Sequence, residues 1–201
     1  MHNKTSAAFS TRTIALAAML SVIVVVLQIV ANLIQPVPGV AITLVLVPVV
    51  IGAALLGPAV GAWLGFVFAM TVLLSGAEAA FFPISTAGTI ITVLVKGIAA
   101  GLCAGLVFKA LEKKNQYLAV ICAAIVCPIV NTGIFLIGCR LFFWPTIVEW
   151  GKTSNFDNPV AYAFLGLAGI NFLVELGINI ILAPTILRLV NTGREMWGGK
   201  K

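Results

Sequence analysis

The sequence predicts an all-α membrane protein, a single integral membrane domain over residues 1–201 that folds as a bundle of six transmembrane helices. Hydrophobic residues make up 61% of the chain and charged residues only 9%, whereas a soluble domain carries roughly 25% charge. A backbone in lipid must satisfy its own hydrogen bonds, which leaves helices or a closed barrel. The apolar runs are continuous rather than alternating, as in "PVVIGAALLGPAVGAWLGFVFAMTVLL" over residues 48–74, and this favours helices.

The division into spans follows from the length of about 20 apolar residues that a helix needs to cross a bilayer. Residues 35–39, "QPVPG", end the first span, because proline and glycine interrupt regular structure. Gly57 and Pro58 form a tight corner between the second and third spans, which are short and therefore tilted or partly re-entrant. Loops at 76–88, 109–117 and 144–159 separate the others. The predicted spans are about 13–34, 40–56, 59–75, 88–108, 118–143 and 160–187.

The positions of lysine and arginine predict that both termini face the cytoplasm, because basic residues concentrate in cytoplasmic loops. The opposite side holds Lys152 together with the acidic residues Glu78, Glu149 and Asp157. The net charge of +6 is therefore mainly a signal of orientation and of attraction to lipid headgroups. The basic residues on the side of the termini are Lys4, Arg12, Lys109, Lys113, Lys114, Arg188, Arg194, Lys200 and Lys201.

The sequence contains no clear catalytic or metal-binding motif. His2 is the only histidine and lies in the tail, so no histidine-based catalytic pair or zinc site is available within the spans. The four cysteines lie inside predicted spans without metal-ligand spacing, which is typical of small apolar core residues. Residues 151–153, "GKT", resemble the end of a phosphate-binding loop, but Thr146 stands where the earlier glycine is required. We therefore predict no enzymatic activity, no cofactor and no metal.

A row of glycines marks one face of the third predicted span, where Gly57, Gly61 and Gly65 recur at every fourth residue. Glycine costs about 1 kcal/mol relative to alanine within a helix, but helices in membranes associate through the close approach of small residues. The row therefore predicts a groove that another helix fills. One interpretation is a docking surface for a partner protein, and the other is an ordinary seam between helices.

Three ionisable side chains inside predicted spans, Lys96, Arg140 and Glu175, indicate a functional site, because charges are costly in lipid. Two cations against one deep carboxylate leave a positive charge that a small anion would balance. The alternative is that Lys96 pairs with Glu175 or with a lipid phosphate and only stabilises the bundle. We expect a polar cavity that opens to the outside between the last three spans, with one set of lining residues: Lys96, Asn131, Thr132, Arg140, Asn171 and Glu175.

Two stretches resemble the substrate-binding S component of energy-coupling factor (ECF) transporters: "AITLVLVPVVIGAALLGPAVGAWLGFVFAMTVLL" (41–74) and "PIVNTGIFLIGCRLFF" (128–143). The resemblance extends over about residues 13–187 and includes the size and the number of spans. It implies a subunit that captures a vitamin from outside and then topples within the membrane against a transmembrane scaffold subunit. Two cytoplasmic ATPase subunits would drive this movement. The resemblance also implies a multi-pass protein of the bacterial plasma membrane.

The resemblance further implies a scaffold-docking face on the first helix. Members of the family often carry an alanine-x-x-x-alanine patch there, and this sequence has small residues at the corresponding positions. With the glycine row, the predicted docking set is Thr13, Ala17, Ser21, Gly57, Gly61 and Gly65.

The identity of the substrate is a separate question, on which several predictions stay open. Within the family, the sequence looks closest to members assigned to pantothenate, and Lys96 and Arg140 agree with a carboxylate ligand. Riboflavin, folate and other vitamins are alternatives. A different class of protein is a self-sufficient, ion-coupled secondary transporter in which Lys96 and Glu175 relay protons or ions.

Overall fold

Helices form all the regular structure of the described chain. The computed structural model describes residues 10–33 and 44–197, and every regular element within these ranges is helical. The predicted all-α fold class is confirmed. The elements are α1 (Thr11–Leu33), α2 (Leu46–Leu56), α3 (Pro58–Leu74), α4 (Thr86–Leu111), α5 (Gln116–Phe142), α6 (Trp144–Thr153), α7 (Pro159–Ala161), a π-helical segment (Tyr162–Gly169) and α8 (Ile170–Trp197).

Four helices in the described ranges are long and apolar enough to cross a membrane: Thr11–Leu33, Thr86–Leu111, Gln116–Phe142 and Asn171–Glu195. Helices α2 and α3 have 11 and 17 residues, fewer than the about 20 that a perpendicular span needs. The count of six spans and the cytoplasmic position of both termini therefore stay predictions. Several residues used for them lie outside the described residues, namely Lys4, residues 34–43, Lys200 and Lys201, as does His2.

Helices α2 and α3 meet at a sharp corner, as the sequence predicted. Gly57 has a φ of +95°, a backbone conformation that residues with a side chain rarely adopt. Pro58 is the first residue of α3, where its missing N–H costs no helical hydrogen bond. A Cβ at Gly57 would meet no atom within 4 Å. The conformation of the corner, rather than contact with a neighbouring helix, accounts for Gly57.

The next two glycines of the row pack against α4 of the same chain. A Cβ on Gly61 would lie 2.4 Å from the carbonyl oxygen of Gly101, and a Cβ on Gly65 would lie 2.0 Å from that of Gly97. The two helix backbones are therefore in direct contact, which only small residues permit. The predicted docking of a partner subunit on Gly61 and Gly65 needs correction, because α4 already occupies their face. This α3–α4 seam fits the second interpretation, an ordinary contact between helices.

Residues 144–159, which the sequence predicted as a loop, contain a short helix. Helix α6 has Pro145 in its first turn and buries Ile147 and Gly151. Because it has 10 residues, a search for spans of about 20 residues does not detect it. Ile147 joins an apolar cluster at this end of the bundle with Phe81, Cys139, Phe143 and Ala163.

The opposite end of the bundle is held together by polar contacts of α8. The Gln116 side-chain amide donates to Asn191 Oδ1 at 2.6 Å, and the Arg194 guanidinium pairs with Glu112. Helix α8 continues to Trp197, ten residues beyond the end of the predicted span at residue 187. The end of α8 therefore lies beside the turn between α4 and α5.

Candidate ligand-binding cavity

A cavity of about 290 Å³ lies in the half of the bundle next to α6, close to the lower limit of about 300 Å³ for small-molecule sites. Residues of α1, α3, α4, α5, α6, the π-helical segment and α8 line it, together with the loop between α3 and α4. The polar lining residues are Gln28, Glu78, Lys96, Asn131, Thr132, Tyr162, Asn171 and Glu175. The structure thus brings together five of the six predicted site residues, all except Arg140, and their binding role stays a prediction.

Lys96 is paired with a carboxylate from the loop between α3 and α4. Its ammonium donates to Glu78 Oε1 at 2.5 Å and lies 4.9 Å from the centre of the Phe135 ring. Lys96 is only 7% exposed, so the pair is largely removed from water. The predicted partners for Lys96 were Glu175 or a lipid phosphate, and the structure shows its ammonium in contact with Glu78. The sequence offered no signal for this pairing, because the two residues lie 18 positions apart and in different elements.

Arg140 does not face the cavity, and the prediction that it would is wrong. Its side chain is exposed and its guanidinium lies 4.4 Å from the centre of the Trp144 ring. Arg140 follows Asn131 by nine residues on α5, which is about two and a half helical turns. The two side chains therefore point to opposite faces of the helix, so that Asn131 lines the cavity while Arg140 lies on the surface.

Four amide side chains among the described residues present a buried oxygen atom without a hydrogen-bond partner: Gln28 on α1, Asn131 on α5, and Asn171 and Asn179 on α8. The first three of these residues line the cavity. An unsatisfied buried polar group costs about 1–3 kcal/mol. Such groups indicate a site where water or a ligand supplies the missing donors. Gln28 was not among the predicted site residues, because α1 reaches the cavity only through tertiary packing.

Helix α8 carries a row of buried or cavity-lining polar residues. Glu175, one helical turn after Asn171, is 3% exposed and lines the cavity. Asn179, a further turn along, is buried and its side-chain amide donates to the backbone oxygen of Glu175 at 2.8 Å. The π-helical segment that precedes α8 contributes Tyr162, Leu167 and Ala168 to the same wall. Such segments often occur at functional sites, and no feature of the sequence predicted this one.

Aromatic rings form much of the apolar wall. Phe81 lies at their centre, with its ring 5.8 Å from that of Phe135 and 5.6 Å from that of Trp150, both edge to face. Phe68 and Tyr162 also line the cavity. Rings of this kind enclose a flat apolar molecule with little loss of side-chain freedom. The aromatic wall is assembled from five elements that are distant in sequence, and it was not predicted.

The charges of the cavity differ from those that the sequence suggested. The prediction of excess positive charge counted Lys96 and Arg140 against Glu175. In the structure Arg140 lies outside and Glu78 joins the wall, so the described lining residues carry one ammonium and two carboxyl groups. The argument from charge for an anionic ligand is therefore withdrawn.

The predicted docking row on α1 lies toward the end of the bundle opposite α6. Ser21 Oγ donates to the backbone oxygen of Ala17 at 2.7 Å and accepts a hydrogen bond from the Trp63 indole N–H at 3.2 Å. Thr13, Ala17 and Ser21 are each partly exposed. A docking role for these three residues stays a prediction.

Apolar helices of membrane-spanning length around a cavity define the general class, a helical membrane protein with an internal cavity. The family model for the ECF transporter, substrate-specific component, matches residues 12–187. The chain therefore belongs to the family of substrate-specific components of ECF transporters. No curated protein and no solved structure matches the chain. The family is a class of transport subunits rather than of enzymes, and it implies a small-molecule substrate and association with an ECF scaffold and ATPase module.

Proposed function

We propose that this chain is the substrate-capture subunit of an ATP-driven ECF vitamin uptake transporter in the bacterial plasma membrane, and that the cavity next to α6 binds the vitamin. The observation that carries this proposal is the set of three unpartnered amide oxygens, from Gln28, Asn131 and Asn171, in the wall of one cavity. A protein gains nothing in stability from buried acceptors without donors. A ligand with matching donors explains why three separate helices present them together.

The amides, the aromatic rings and the ion pair of the cavity wall have different roles in this function. The amides accept hydrogen bonds from the ligand and fix its orientation, while Phe81, Phe135 and Trp150 enclose its apolar part. The Lys96–Glu78 pair joins α4 to the loop between α3 and α4, and so holds that loop at the wall of the cavity. Opening of this pair gives the ligand a route in and out.

The orientation follows from the predicted distribution of basic residues. With the termini in the cytoplasm, the α6 end of the bundle faces outside, where a capture subunit must meet its substrate. Helices α2 and α3, joined at Gly57, then complete the bundle as short or tilted spans. The scaffold subunit docks on the side of α1 that carries Thr13, Ala17 and Ser21.

Membership of the family does not identify the vitamin. Pantothenate was the sequence prediction, and its support from charge depended on Lys96 and Arg140 as available cations. Because Lys96 is paired with Glu78 and Arg140 lies on the surface, that support is gone. Riboflavin, folate and other vitamins stay alternatives.

The test is binding and uptake with the purified full-length chain. We expect a small molecule to be released on denaturation and identified by mass spectrometry, and to bind again with a Kd that Asn131→Leu raises and the surface control Arg140→Gln does not. We also expect uptake into liposomes only when an ECF scaffold and its ATPases are reconstituted with the chain and ATP is supplied. Uptake driven by an ion gradient in the chain alone would favour the self-sufficient transporter instead.

A further inference from the structure

We propose that an apolar groove between α1, α2 and α8 binds one anionic phospholipid, with an acyl chain along the groove and the phosphate at Arg12. This groove shares no lining residue with the cavity next to α6, so the site is independent of the molecule that the cavity binds. The residues that line the groove are Leu16, Leu20, Ile23, Leu27, Leu44, Val47, Pro48, Ile51, Leu55, Leu182, Leu189 and Gly193.

The groove exists because α1 and α8 do not meet. Both helices pack against α2, but in the part of the chain that the structure describes they make no contact with each other. The gap between them has a volume of about 470 Å³, and its lining residues are all apolar. Ile23, Leu44 and Leu189 are between 42% and 48% exposed, so the groove is open along the apolar surface of α1 and α8.

The groove has the length of one lipid leaflet. Its lining residues cover 16–27 on α1, 44–55 on α2 and 182–193 on α8. At 1.5 Å per residue each of these ranges is about 16 Å long, roughly half of the 30 Å hydrocarbon core. The volume over this length gives a mean cross-section of about 30 Å², less than half that of a helix about 10 Å across. The groove therefore fits an acyl chain better than a helix of a partner protein.

Basic side chains lie at one end of the groove. Arg12 is exposed and lies one turn before Leu16 on α1, so it extends the row of lining residues toward the headgroups. Arg188, next to Leu189 on α8, is also exposed. No ion pair within the described ranges includes either arginine. An arginine at this depth can bind a phosphate through two hydrogen bonds while the acyl chain lies along the groove.

The acidic residues at the same end do not compete for these arginines. Glu112 is already paired with Arg194. Glu195 lies two residues after the lining residue Gly193, which is about 200° around α8 and therefore on its other side. In the predicted orientation this end faces the cytoplasm, and the cytoplasmic leaflet carries anionic lipids. Both the charge and the position of the groove thus favour an anionic phospholipid.

The test is native mass spectrometry of the purified full-length chain, with phosphatidylglycerol as the anionic probe and phosphatidylcholine with the same acyl chains as the neutral probe. We expect each chain to retain one molecule of phosphatidylglycerol. Arg12→Gln should weaken this binding about fivefold, the effect of one basic residue near an anionic lipid. The control Lys113→Gln, exposed in the turn between α4 and α5, should leave it unchanged.

A second pair of variants separates a lipid in the groove from lipids elsewhere on the surface. Ile23→Trp fills the groove and should abolish retention, whereas Val22→Trp, at the same depth on another side of α1, should not. Both residues are exposed, and thermal unfolding of each variant reports whether it is folded. If Ile23→Trp is unfolded, Leu189→Trp on α8 fills the groove from its other wall.

Retention of phosphatidylglycerol that Arg12→Gln weakens and a groove-filling variant abolishes supports the proposal. The proposal is overturned if phosphatidylcholine is retained as tightly, if Arg12→Gln has no effect, or if the groove-filling variant and Val22→Trp retain the same lipid. It is also overturned if the chain retains no lipid. In that case, loss of assembly with an ECF scaffold in Ile23→Trp would assign the groove to that partner.

Discussion

Helix α4 has two faces that are packed according to different rules. Toward α3, Gly97 and Gly101 bring the two backbones so close that an added Cβ would lie within 2.4 Å of a carbonyl oxygen. Toward the cavity, the neighbouring residue Lys96 meets a loop carboxylate and open space. In a membrane, packing and hydrogen bonds hold helices together, because lipid is as apolar as their side chains. The contrast shows that the chain closes one face of α4 by backbone contact and leaves an ion pair and a cavity at the other.

The largest expected effect on stability is at the contact between α3 and α4. Gly65→Leu should prevent folding or lower the free energy of unfolding by more than about 3 kcal/mol, because the new side chain cannot fit against the α4 backbone. Gly65→Ala should cost about 1–3 kcal/mol for the same reason. Thermal unfolding of the chain in detergent measures both.

The matched control for these variants is Gly133→Ala on α5, where a Cβ would meet no atom within 4 Å. It should be neutral or raise stability by up to about 1 kcal/mol, because alanine is the better helix former. Equal stability of Gly65→Ala and Gly133→Ala would show that the seam does not depend on close backbone contact.

A smaller effect is expected at the ion pair on the cavity face. Lys96→Met leaves the Glu78 carboxylate without its partner and should lower the free energy of unfolding by about 2 kcal/mol. The double variant Lys96→Met/Glu78→Gln removes both charges and should recover most of this loss. If the two variants unfold at the same temperature, the pair makes no contribution to stability.

The smallest effect on stability, and the sharpest contrast with the seam, is expected at Asn171. Asn171→Leu removes a buried acceptor that has no donor in the protein, so the ligand-free chain should unfold at the same or a slightly higher temperature. Ligand affinity should fall by about three- to tenfold, as for the loss of one neutral hydrogen bond. A variant that is destabilised without ligand but binds normally would assign Asn171 to the fold rather than to the site.

Features that depend on near neighbours in the chain were predicted well. Apolar composition and continuous runs predicted the all-α fold, and glycine followed by proline predicted the corner at Gly57. Asn171 and Glu175, both predicted as lining residues, lie four residues apart on one face of α8 and line the cavity. The same reasoning applied to α5 would have separated Arg140 from Asn131, because nine residues turn a helix to its opposite side.

What the sequence by itself determined is which segments are helical, how apolar they are and which residues share a helix face, because backbone hydrogen bonding and helical periodicity act between residues close in the chain. Only the tertiary structure decided what each face meets. It placed Gly61 and Gly65 against α4, paired Lys96 with Glu78, brought Gln28 and the aromatic rings to the cavity, and put Arg140 on the surface. The contacts of Lys96, Gly65 and Gly61 join residues 18 to 40 positions apart. In a membrane such contacts are selected by the fit of surfaces and polar partners rather than by hydrophobicity, because lipid is as apolar as the side chains.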